Sequence, residues 1–179
     1  MKTSDIASKS LIRLDPKSWV RWATNIENVG DCEIVNPEFQ LFSRVTDTLV
    51  MVKDSPVGSF LALFEFQTHY NKDMPLRMGT YAMLAESQFK LLVFPILVNL
   101  LPYKGEIADK YETEILGLKK RIDYKVINLW EVEAEKVLEE KLLALIPFVP
   151  LMKGGAEEKT LRKAKEELEL SKELKPSAS

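Results

Sequence analysis

The sequence predicts an α/β or α+β fold: one mixed sheet with helices on both faces. Three observations lead there. First, two strand-forming runs, "VTDTLVMVK" at 45–53 and "FLALFEFQT" at 60–68, flank "DSPVGS", whose Pro and Gly favour a turn. Together they read as an antiparallel hairpin. Second, a helical stretch, "PLRMGTYAMLAESQFK" at 75–90, leads into "LLVFPILVNLLP" at 91–102, an apolar run of strand length. Such a run suits a central strand, buried on both faces and reached by a helical crossover. Third, helical patterns at both ends of the chain supply cover for the sheet.

The elements follow in order. "MKTSDIASKS" is a polar arm, residues 1–10. Asp15 can cap a helix, Pro16 suits its first turn, and Trp19, Trp22 and Ala23 recur at helical spacing until Gly30. "CEIVNPEFQLF" at 32–42 carries a short strand before the hairpin. "HYNKDM" at 69–74 is a loop, and Pro75 opens the crossover helix. "IADKYETEILGLKKR", 107–121, is charged and reads as a helix. "DYKVINLW" at 123–130 is a strand, and "EVEAEKVLEEKLLALI" at 131–146 a helix that "PFVPLMKGG" breaks. The last helix, "EEKTLRKAKEELELSKEL" at 157–174, has only a thin apolar stripe at Leu161, Ala164 and Leu168. So thin a stripe lets it stand away from the core.

Composition narrows the function. A chain of 179 residues with 46% hydrophobic and 29% charged residues has the make-up of a soluble one-domain protein with its own core. Cys32 is the single cysteine and His69 the single histidine, which excludes an internal disulfide and a Cys/His zinc site within one chain. The net charge of −2 announces no basic nucleic-acid domain, though a local cluster touching a few phosphates stays open. The N-terminus lacks a secretory pattern. The longest apolar run, which contains Pro95, is too short to span a bilayer. A cytoplasmic protein with no membrane partner is expected.

The chemistry gathers on "LFEFQT". Side chains two apart on a strand share a face, so Glu65 and Gln67 point one way and Phe64 and Phe66 the other. A carboxylate in such apolar company must be paired, hydrogen-bonded or bound to a cation. The preceding strand carries Asp47. If the hairpin register sets Asp47 opposite Glu65 or Gln67, a divalent cation would relieve the repulsion of two close carboxylates. A one-residue slip would separate them. Spacing alone leaves two readings open: a shared magnesium ion, or carboxylates that are salt-bridged or solvent-facing. Arg77 and Tyr81, four apart on the crossover helix, share a face. There, an arginine fork and a hydroxyl could hold a phosphate, or Arg77 could pair with an acid such as Asp73 while Tyr81 packs on the sheet. His69 follows directly and could act as a base, or merely stand by.

An aspartate, one hairpin, then Glu-x-Lys or a variant resembles the PD-(D/E)XK nuclease superfamily. "SRVTDTLVMV", "LFEFQTHYNKDMPLRMGTYAMLAE", "FPILVNLLP" and "DYKVINLWEVEAEKVL" resemble successive blocks of the recombination-promoting nuclease/transposase family, and "LIPFVPLMKGG" its continuation. The likeness covers roughly residues 10–165, and the run from Glu65 to Tyr81 is its most specific part. It implies a restriction-endonuclease-like core at 11–150 and a C-terminal helical extension at 151–179, which family members continue further.

The resemblance also implies an activity and its residues. The activity is metal-dependent DNA endonuclease, linked to recombination or transposition. Asp47, Glu65 and the main-chain carbonyl of Phe66 would hold Mg2+ or Mn2+. Gln67, where the superfamily has lysine, would orient water, and Arg77 and Tyr81 would hold the substrate. A neutral amide at 67 orients groups without adding charge, so more of the charge stabilisation would fall to the metal. The carboxylate that the family carries on its first helix is not evident here: Glu27 is the single acid inside that helix as read above, and it is not assigned the role. Cutting both strands of a duplex needs two sites, which a homodimer supplies. The alternatives are a nuclease-fold module without catalysis that associates with DNA or protein, or a transposition accessory protein that docks through its last helix.

Overall fold

Strand-forming runs and turn residues set the frame, and the computed structural model describes residues 10–35, 48–115 and 117–173 of it. Helix α1 (Pro16–Thr24) begins where Asp15 Oδ1 accepts from Ser18 N at 3.1 Å. It ends earlier than Gly30: Asn25 takes the left-handed conformation at φ 57° and caps it. Glu27 therefore lies outside the helix. Strand β1 (Cys32–Val35) pairs antiparallel with β2 (Thr48–Ser55), which pairs antiparallel with β3 (Gly58–Gln67) from Thr48↔Phe64 to Ser55↔Gly58. Helix α2 (Met74–Phe89) returns the chain, and β4 (Val93–Asn99) runs parallel to β3, Leu61↔Val93 through Gln67↔Asn99. The helical crossover and the central position of this apolar strand are as its sequence suggests.

The charged segment after β4 corrects the helical reading of 107–121. It forms a separate two-stranded hairpin, β5 (Lys110–Ile115) and β6 (Leu118–Asp123). Its register sets Lys110 opposite Asp123, Glu112 opposite Arg121 and Glu114 opposite Lys119, so each cross-strand pair is opposite in charge. The other face carries Tyr111 opposite Ile122. These two side chains close over Gly79 of α2, where a β-carbon would lie 3.3 Å from Ile122 Cδ1. The glycine leaves room for the hairpin to dock. The polar/apolar alternation of "KYETEI" is a period of two, which its high charge obscured.

Strand β7 (Lys125–Asn128) completes the main sheet, parallel to β4, in the order β1-β2-β3-β4-β7. A 3-10 turn at Leu129–Glu131 and a short α3 (Ala134–Glu139) replace the long helix expected over 131–146. Lys141 takes φ 51°, and Pro147 and Pro150 sit inside a 3-10 stretch at Leu143–Leu151, where a missing N–H precludes a regular helix. That stretch buries Leu145, Ile146, Phe148 and Val149. Helix α4 (Glu158–Glu173) does not stand away. Ala164 is buried in the core and Leu168 packs against it, while Leu161 stays exposed.

Two cores result. Between the sheet and α2 lie Leu49, Leu61, Leu63, Leu97, Met74, Met78 and Tyr81. On the opposite face Val50, Ala62, Phe64, Ile96 and Val98 meet Trp19, Val20, Leu145 and Phe148. Trp19 stands edge-on to Phe64, Phe66 and Phe148, at centroid distances of 6.0, 5.7 and 5.6 Å. Each such contact adds roughly 0.5–1.5 kcal/mol beyond area burial. Among the described residues no helix is long and apolar enough to cross a membrane.

Candidate functional site

Alternation along β3 does what its sequence dictates. Leu61 and Leu63 join the α2-side core, Phe64 lies in the opposite core, and Phe66 packs against that opposite core. Glu65 falls on the α2 side and is fully buried. Its Oε2 lies 2.8 Å from Nη2 of Arg77, one turn into α2. The guanidinium also sits 5.4 Å above the Tyr81 ring. The partner demanded by a carboxylate on an apolar strand is thus an arginine. Arg77 pairs with Glu65 rather than with Asp73, whose main-chain carbonyl instead accepts from Arg77 N at 3.0 Å. Tyr81 packs on the sheet, 3% exposed.

Gln67, next along this face, opens a row of amides. Its Nε2 donates to Asn99 Oδ1 at 2.5 Å, Asn99 Nδ2 donates to Asn128 Oδ1 at 2.8 Å, and Asn128 Nδ2 donates to Glu131 Oε2 at 3.0 Å. The register 67↔99↔128 explains the row: β3, β4 and β7 each end on an amide residue at the same level of the parallel sheet. Sequence reasoning missed Asn99, Asn128 and Glu131. The available signal was that "LFEFQ", "PILVN" and "KVIN" all close an apolar run with Gln or Asn. Carboxyl ends of parallel strands are the usual place for ligands in such sheets.

Apart from Glu65 Oε2, which stands in its ion pair, the buried oxygens Gln67 Oε1, Tyr81 Oη and Tyr124 Oη have no hydrogen-bond partner among the described residues. Tyr81 and Tyr124 belong to the α2-side core, and Gln67 shares that face of β3. Buried polar atoms of this kind call for water, an ion or a ligand. Burial pushes the Tyr124 phenol up to about 12, with Asp109 and Tyr70 adding to the rise. The folded state therefore holds the proton more tightly than the unfolded chain. Stability is unaffected below about pH 10 and falls as pH rises from about 10 to about 12. Tyr124→Phe should make the decline in melting temperature over that range shallower and leave the neutral-pH fold intact. An unchanged alkaline decline would remove Tyr124 as its cause.

The other expected residues are placed as follows. Asp47 lies outside the described residues; Thr48, one position on, pairs with Phe64. Phe66 turns its ring to the opposite face, stacked on Phe148 at 6.4 Å, which leaves its main chain as what it could offer a metal. His69 is exposed, with Nδ1 2.9 Å from Thr68 Oγ1. Burial raises the Cys32 thiol to about 11, far from a reactive thiolate.

Among the described residues no three His, Cys, Asp or Glu converge as a metal cluster. The donor chemistry nevertheless suits a hard cation. Glu65 supplies a carboxylate and Gln67 Oε1 an unpartnered neutral oxygen, and magnesium commonly takes one or two carboxylates completed by water. A cavity of about 520 Å³ opens elsewhere, between α1, β7 and α3, lined by Trp22, Lys125, Glu133 and Lys136 among others. It shares Asn128 and Glu131 with the amide row but none of the sequence-predicted site residues, so it is not the candidate site. Comparison with known proteins gave no match to a family model, a curated protein or a solved structure.

Proposed function

We propose that the chain is a magnesium- or manganese-dependent DNA endonuclease with a PD-(D/E)XK-like core. One observation carries the reading: Glu65, fully buried on the strand that joins an antiparallel hairpin to a parallel crossover, is met by an arginine from the crossover helix. The order helix, three-strand meander, helix, parallel strand agrees with the resemblance of the sequence. The reading requires the β2–β3 ladder to continue one pair beyond Thr48↔Phe64, bringing residue 47 opposite residue 65.

In this proposal Asp47, Glu65 and the Phe66 carbonyl hold the ion, which when bound supplies Lewis-acid stabilisation and a water of lowered pKa. Gln67 orients the attacking water through Oε1 while Nε2 stays on Asn99. Arg77, about a third exposed, releases Glu65 and turns its fork to the substrate phosphate. A second site for the other strand comes from a second copy of the chain.

One observation favours the non-catalytic alternative. The 2.8 Å ion pair already balances the Glu65 charge, so the buried carboxylate needs no cation. Cleavage of supercoiled plasmid with magnesium and with manganese decides between the two. The proposal expects nicked and linear products that vanish with chelator. Intact plasmid with both metals would favour the module.

Gln67→Lys follows from the same geometry. A lysine ammonium can still donate to Asn99 Oδ1, so the amide row survives and stability should change by less than about 1 kcal/mol. The added positive charge should raise cleavage. Unfolding and cleavage rate, measured together, check this; a folded variant with an unchanged rate would place residue 67 outside the reacting site.

A further inference from the structure

We propose that Tyr70 and Tyr103 form a stacking platform for an unpaired nucleobase at the rim of the candidate site, an inference that rests on the nuclease reading for its substrate class. Their rings are 4.5 Å apart and within 9° of parallel. Both are exposed, Tyr70 38% and Tyr103 44%. An offset stack of two aromatic rings left open to solvent has hydrophobic ring area to offer a third. Its position is set by the sheet. Tyr70 comes three residues after Gln67 and Tyr103 four after Asn99, and those two residues are register partners joined side chain to side chain. Leu100 N also donates to the Gln67 carbonyl at 2.9 Å, which keeps the two strand exits together. Three residues of chain reach at most about 10 Å, so Tyr70 stays within one or two nucleotides of the amide row.

The Tyr103 ring lies against Gly105. A β-carbon at Gly105 would collide with its Cε1, Cζ and Oη, so the ring position depends on the absence of a side chain there. Exposed Lys72 and Lys104 flank the pair in sequence, and Asp73 and Glu106 adjoin them. The patch is therefore not a strongly basic channel, and ring stacking rather than phosphate attraction carries the binding. Stacking on aromatic side chains serves unpaired strands of any sequence, because every base has a π-face. A duplex, whose bases are already stacked, gains little from such a platform.

The test is binding of a fluorescently labelled oligothymidylate to the full chain in chelator, where no cleavage competes. Unlabelled duplex, oligouridylate and thymidine monophosphate serve as competitors. Wild type should bind the single strand, duplex should compete about tenfold more weakly, and Tyr70→Ala/Tyr103→Ala should lose about tenfold or more of the affinity. Tyr70→Phe/Tyr103→Phe should keep it, since the ring faces remain. Gly105→Ala should weaken it by displacing Tyr103 without removing an aromatic group. Competition by oligouridylate as well as DNA is expected from stacking; competition by the monophosphate alone would overturn a strand platform. Equal binding by the double alanine variant, folded by circular dichroism, would overturn it too, as would preference for duplex or no binding by wild type. If the single strand binds through the tyrosines but no metal supports cleavage, the nuclease reading fails and the platform stands. If cleavage proceeds while the tyrosine variants bind and cut as wild type does, the platform fails and the nuclease reading stands.

Discussion

Glu65→Gln is expected to lower metal-dependent cleavage by more than about a hundredfold, beyond what loss of an outer-shell metal partner usually gives, while the protein stays folded. The substitution keeps shape and volume at a fully buried position. The glutamine keeps a polar oxygen facing Arg77 Nη2, so the guanidinium keeps a polar neighbour and the ionic share of the 2.8 Å contact, about 1–2 kcal/mol, is what stability loses. A neutral amide oxygen, however, carries no charge to offset that of a divalent ion, which the carboxylate supplies. Cleavage rate and melting temperature measured on one preparation separate the two effects. A rate like that of wild type would remove Glu65 from the proposed chemistry.

Arg77→Met should be the most destabilising single change in the site. Stripping one partner from a buried ion pair costs about 3–5 kcal/mol, because the remaining charge is left in low dielectric. Glu65 is wholly buried and would be the stranded partner, while Arg77 is 32% exposed, which places the expected cost toward the lower end of that range. Adding Glu65→Leu should recover most of the loss, since two apolar groups in place of a buried pair are often neutral or stabilising. Urea unfolding of both single variants and the double variant gives the coupling directly. A loss under about 1 kcal/mol for Arg77→Met would show that Arg77 is not the group that holds the Glu65 charge in the interior.

Much of this site was legible because strand alternation is local. Period two alone put Glu65 and Gln67 on one face and predicted that a buried carboxylate needs a partner. Helical spacing put Arg77 and Tyr81 on one face of α2, and the 5.4 Å contact between them bears that out. Which acid Arg77 would choose was not legible. Asp73 is near in sequence, but the choice depends on how α2 lies across β3, a tertiary fact. The amide row was hidden for the same reason: Gln67, Asn99 and Asn128 are 32 and 29 residues apart and meet only through parallel register. In the fold, the hairpin at β2–β3 and the central β4 were readable from β-branched content, turn residues and a long apolar run. The β5–β6 hairpin was not, because its alternation is built from charges, whose opposite-charge register neighbours come together only once the strands pair. Helix lengths after β7 were overestimated where Lys141 adopts positive φ, a local conformation that no hydrophobic period announces.

Calorimetric titration of manganese into the wild-type chain and into Glu65→Gln tests most directly whether the Glu65 carboxylate serves a metal despite its arginine. The account predicts one ion bound per chain at millimolar affinity or better, a matching rise in melting temperature, and loss of both in Glu65→Gln. A wild-type titration with no heat and no change in melting temperature up to that concentration, or one that Glu65→Gln reproduces, would contradict it.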